Sequence, residues 1–115
     1  MDKELKRGNI FSSIPAVFEN EIEEDILQGR GFRMERILSC GQISPQGTWY
    51  DQDEDEYVIL LSGQARLDFM DEEEIQMGKG DWIFIPAHKE HRITYTSRDP
   101  KCVWLAIHGD MKTCI

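Results

Sequence analysis

EYVILLSG at Glu56–Gly63 and GDWIFIPAHKEH at Gly80–His91 are the stretches that decide the fold. Each carries a short run of β-branched and aromatic residues that ends at a glycine or a proline. YVILL and WIFIP are apolar at every position, the pattern of strands covered on both faces. Runs this short and this rich in Val, Ile, Phe and Trp read as strands. QARLDFM lies between them and alternates, with Leu67 and Phe69 on one face and Arg66 and Asp68 on the other. HRITYT follows, and strict alternation puts His91, Ile93 and Tyr95 on one face.

Outward from these stretches the same texture continues. From residue 32 the chain reads FRMERILSC, GQISPQG, TWYD, then DEEEIQMGKGD, RDPK and CVWLAIHG around the central strands. Short apolar stretches separated by turn residues predict an all-β sandwich or barrel over 32–115. βαβ units would need long helical patterns between strands, and none is present. Residues 1–31 are expected to form an N-terminal segment that packs on the barrel or pairs with it. Within it, ENEIEEDILQG suits a short helix closed by Gly29 or an edge strand. Irregular structure with one short helical turn is the expectation. At 115 residues the chain makes one domain.

The formal net charge is −9, from 13 Lys and Arg against 22 Asp and Glu, and the basic residues are scattered. That argues against nucleic acid and against an anionic membrane surface as partners. No apolar run approaches the length of a membrane span, and the start, MDKELKRGNI, lacks a signal-peptide pattern. Cys40, Cys102 and Cys114 are far apart and form no CxxC, which fits reduced thiols in a cytoplasmic protein.

Glu56, six residues and Gly63 resemble the second half of the first motif of the cupin superfamily. That motif runs glycine, five residues, H-x-H, three or four residues, glutamate, six residues, glycine. Gly80, DWIFI, Pro86, Ala87, His88 and then His91 resemble the second cupin motif. His88 stands in a glycine place and Tyr95 in an asparagine place. The resemblance implies a small double-stranded β-helix, or jelly-roll, barrel over 32–115 with a cavity at its mouth. In the family, the H-x-H pair, the glutamate and the second-motif histidine bind one metal ion. Counting back four residues from Glu56 puts the pair at Trp49 and Asp51; the three-residue variant puts it at Tyr50 and Gln52. Neither register holds a histidine. The four-residue register keeps an anionic oxygen and is the one expected here. It turns Asp51 and Glu56 inward from the acidic run DQDEDE, and leaves Asp53, Glu54 and Asp55 as a solvated turn.

Asp51, Glu56 and His91 then make a possible ligand set for Mn²⁺, Fe²⁺, Ni²⁺ or Zn²⁺. Trp49, Trp104 and His108 are expected to line the pocket. The resemblance implies a small-molecule ligand, with a metal-dependent enzyme of oxygenase or isomerase type as the first reading. Two alternatives stand beside it. One is a non-catalytic binding or sensing module. The other is a metal-free, epimerase-like enzyme with His91 as base and Tyr50 or Tyr95 as acid. Small cupins commonly pair, and a homodimer is expected.

Overall fold

The computed structural model describes residues 3–111. Cys114 lies outside the described residues. Eight strands follow one another: β1 (Ile22–Gly29), β2 (Phe32–Ser39), β3 (Asp55–Ser62), β4 (Ala65–Phe69), β5 (Ile75–Met77), β6 (Trp82–Ile85), β7 (His91–Thr96) and β8 (Cys102–Gly109). They form a five-stranded sheet, β1-β2-β8-β3-β6, and a three-stranded sheet, β5-β4-β7. All pairings are antiparallel. The all-β jelly-roll expectation holds, and no helix occurs among the described residues.

Alternation explains the burial. Val58 and Leu60 of β3 and Trp104 and Ala106 of β8 point between the sheets. They meet Leu67 and Phe69 of β4 and Ile85 of β6 there, and form the core. Tyr57, Ile59 and Leu61 point the other way and are half-buried on the outer face. The turns depend on the two motif glycines. Gly63 sits at φ 91° and Gly80 at φ 90°, in the left-handed region that a glycine enters without a Cβ clash.

The N-terminal segment departs from the expectation of a helical turn. ENEIEEDILQG supplies an edge strand instead: β1 pairs with β2 from Ile22↔Leu38 to Gly29↔Phe32, with an irregularity between Asp25 and Leu27. Glu23, Glu24 and Asp25 are exposed along that edge. The segment before β1 is tied down by Arg36, which donates to the carbonyls of Ile10 and Ser12 at 3.0 and 2.6 Å and pairs with Glu24. The guanidinium donors thus meet two backbone carbonyls and one carboxylate where a lone buried guanidinium would be costly.

Candidate functional site

A cavity of about 180 Å³ opens between the two sheets. Its walls follow from strand register. On the large sheet Arg33, His108, Glu56 and Ile85 stand side by side across β2, β8, β3 and β6. One row deeper come Glu35, Ala106, Val58 and Ile83, and deeper still Ile37, Trp104 and Leu60. The mouth is therefore polar and the floor apolar. The small sheet contributes His91 and Ile93 from β7 and Leu67 from β4.

The segment before β3 closes the remaining side. Tyr50 makes an isolated antiparallel bridge with His91. Ser44 seals the next step: its N–H donates to the Ile93 carbonyl at 2.9 Å, and its hydroxyl accepts from the Ile93 N–H at 2.9 Å. Alternation from Tyr50 turns Gln52 inward with it, and both line the cavity.

This corrects the expected register. Asp51 does not join Glu56 and His91. It faces solvent on the other side of its segment, where its carboxylate accepts a 2.6 Å hydrogen bond from His88 Nδ1. Trp49 also faces away from the cavity, beneath the Arg92 guanidinium at 6.0 Å. The three-residue spacing, with Tyr50 and Gln52 at the paired positions, is the one the chain adopts. Tyr95 is displaced for a different reason. Leu67 pairs with Ile93 but Arg66 pairs with Tyr95, so Thr94 is an extra residue in β7. That bulge reverses the parity beyond it. Tyr95 is exposed under Arg66, 5.3 Å from the ring, and is not at the cavity.

Glu56, His91, Tyr50, Trp104 and His108 do line the cavity. His91 Nδ1 lies 2.9 Å from the Lys89 carbonyl, which can only accept, so Nδ1 carries the proton. In the neutral ring Nε2 then has the lone pair. Tyr50 and Phe69 flank the ring, each with its centroid 5.8 Å away. On the opposite wall His108 Nε2 donates to Glu35 at 2.8 Å, with both side chains buried. Trp104 Nε1 donates to Ser39 Oγ at 3.2 Å beneath the floor.

Glu56 is 7 % exposed, and its carboxylate accepts no hydrogen bond from a described residue. Burial pushes its carboxyl above the usual carboxylate range, while His108 and His91 pull against that shift. Glu21, at the end of the cavity beside Ser39, is raised in the same way, first by burial and then by Glu23. Gln52 Oε1 is buried with no donor.

Glu35, Glu21 and Arg33 were not singled out from sequence, and Gln52 was named only in the register that was not chosen. The parity of FRMERILSC carried a signal for two of them, since it sets Arg33, Glu35 and Ile37 on one face.

The Cupin_2 pattern, a cupin domain, matches residues 40–108. The chain belongs to the cupin family. Among curated proteins nothing matches it. A crystal structure from Ralstonia eutropha JMP134, of a protein provisionally named a mannose-6-phosphate isomerase, is 40% identical, with a TM-score of 0.89 over 93% of this chain and 100% of that one. A cupin superfamily protein from Desulfitobacterium hafniense DCB-2 is 20% identical, with a TM-score of 0.73 over 94% of each chain. A cupin-family protein with a double-stranded β-helix fold from Methanocaldococcus jannaschii is 12% identical, with a TM-score of 0.69 over 96% of this chain and 93% of that one. The last two show the fold alone.

Cupins commonly bind metal ions, but the donors of this cupin do not fit one. Its paired-histidine positions hold Tyr50 and Gln52, both neutral. That leaves Glu56 as the one carboxylate among the four family ligand positions, with burial raising its pKa above the usual range. Among the described residues no group of three or more His, Cys, Asp or Glu side chains converges as a metal site.

Proposed function

We propose that this cupin binds a small organic molecule in the barrel and moves a proton on it without a metal, as isomerases and epimerases do. The observation that carries the reading is His91, which lines the cavity with its Nδ1–H held by the Lys89 carbonyl, so that Nε2 is the nitrogen left for a ligand. A cavity near 180 Å³ suits a molecule about the size of one six-membered ring with a short substituent. The apolar floor takes the carbon skeleton and the polar mouth orients its substituents.

The step balances within the cavity. His91 Nε2 takes a proton from a carbon beside a carbonyl. The electron pair moves to the carbonyl oxygen, and the Tyr50 hydroxyl gives that oxygen a proton. With a hydroxyl on the neighbouring carbon, His91 returns its proton to the former carbonyl carbon while that hydroxyl becomes the new carbonyl and gives its proton to the Tyr50 phenolate, which completes the isomerisation. The provisional name of the Ralstonia protein supports the isomerase class. The metal-dependent reading, oxygenase or isomerase, would have to build its site from Tyr50, Gln52, Glu56 and His91, and is the weaker one.

The test is exchange of carbon-bound hydrogen in D2O, followed by NMR on chelator-treated protein with small α-hydroxy and α-amino carbonyl compounds. Exchange that His91→Gln abolishes supports the reading. Exchange that appears only with an added divalent ion returns the metal-dependent enzyme. Saturable binding without exchange leaves a non-catalytic module.

A homodimer is the proposed assembly. Tyr57, Ile59, Trp82 and Phe84 form an aromatic and aliphatic patch on the outer face of β3 and β6, and Trp82 is 61% exposed. Tyr57 and Trp82 already stack at 5.5 Å. A cytoplasmic location is also proposed, supported by free thiols at Cys40 and Cys102.

A further inference from the structure

The cavity holds four carboxylates, Glu21, Glu23, Glu35 and Glu56, against one guanidinium, Arg33. Two of the four have partners: Glu35 accepts from His108, and Glu21 accepts from Ser39 Oγ at 3.2 Å. Glu56 has none, although it is more than nine-tenths buried. Gln52 Oε1 has none either, with no exposed surface of its own to speak of. Both side chains line the same cavity. An unpaired carboxylate on a side chain this buried is costly to desolvate, and a group that pairs with it brings N–H or O–H bonds.

Charge narrows the choice. Arg33 makes no ion pair among the described residues and faces an excess of acid. A phosphate or carboxylate placed at this mouth would lose its hydration and meet like charge. An ammonium would bring donors and the missing counter-charge together. Charge-assisted bonds of that kind are the strong ones.

We infer that the ligand of this cupin is a small cation, an ammonium-bearing molecule with an apolar body, held by Glu56 and Gln52 Oε1 above the Trp104 floor. This rests on the cavity-binding reading above and adds the ligand's charge class. It excludes phosphorylated sugars from the site.

Benzylamine, benzyl alcohol and benzoate share one body and differ in charge, so they separate the two claims. Each is titrated into the full chain at pH 7.5, with calorimetry for affinity and NMR shifts for location. Benzylamine is expected to perturb the Trp104 indole N–H and to bind about tenfold or more tighter than benzyl alcohol, with benzoate weaker still. Benzyl alcohol or benzoate binding as tightly as benzylamine overturns the charge class and leaves the cavity reading standing. No binding by any of the three overturns both. Glu56→Gln keeps the shape and is expected to lose about tenfold for benzylamine while holding its affinity for benzyl alcohol. Unchanged benzylamine affinity in that variant sinks the assignment. If Glu56→Gln does not fold, Gln52→Leu takes its place, with a smaller loss of about fivefold expected and the same reversal if none appears.

Discussion

Tyr50 and His91 hold each other's backbone in both directions: the Tyr50 N–H donates to the His91 carbonyl at 2.7 Å, and the His91 N–H donates to the Tyr50 carbonyl at 3.1 Å. That bridge sets which side chains of residues 49–52 enter the barrel. Installing histidines at 50 and 52 should therefore rebuild the family's metal site. The Tyr50→His, Gln52→His double variant is expected to take up about one equivalent of Ni²⁺ or Zn²⁺ at pH 7.5, and wild type none. Trp49→His with Asp51→His should gain no such site. Uptake by the second pair and not the first would reverse the register.

Glu56 bears on stability. Its folded-state pKa is raised above the ordinary value of 4.5, chiefly by burial. A raised carboxyl supports the fold fully below its unfolded pKa, and that support is lost as pH rises through the folded pKa. Glu56→Gln should then stabilise the barrel at pH 8, by about 1 kcal/mol or several degrees in Tm. The gain should shrink toward pH 4. Thermal unfolding at the two pH values checks it, and an equal change at both would assign the effect to packing.

The motif glycines should differ in cost. A Cβ at Gly63 would lie 2.8 Å from Cys102 Sγ and 2.9 Å from both Cys102 Cα and the Lys101 carbonyl, whereas one at Gly80 meets nothing within 4 Å. Both need positive φ. Gly80→Ala should cost about 1 kcal/mol from backbone strain alone, and Gly63→Ala about 3 kcal/mol or more. Denaturant melts of the two variants give the comparison, and equal losses would mean that the β3–β4 turn yields more easily than its contacts suggest.

Trp104 is the largest side chain under the cavity, 3% exposed. Trp104→Ala should destabilise by about 3–5 kcal/mol. Trp104→Phe should retain the fold and leave Ser39 Oγ without its indole donor, at about 1 kcal/mol. Both are read by urea unfolding.

The barrel was legible because its cues are local. Glycines at positive φ, apolar runs and turn residues sit within a few positions of what they determine. Glu56 and His91 were legible for the same reason, each counted from a motif glycine. The register at 49–52 was not, because a slip of one residue turns every side chain to the opposite face. The nearest carboxylate made the wrong register attractive. Tyr95 was lost to a bulge at Thr94 that no residue type there announces. The Glu35–His108 pair joins residues 73 positions apart, and only the β2–β8 pairing brings them together.

The row of Glu23, Glu24 and Asp25 along β1 has a colloidal consequence. β1 ends the large sheet, so its outer backbone groups could accept a strand from another molecule. At neutral pH an approaching copy meets acid with acid, and the edges repel. High salt screens that repulsion, and the row becomes a template for stacking. Concentrated solutions of this protein in high salt should therefore turn cloudy while the barrel is still folded.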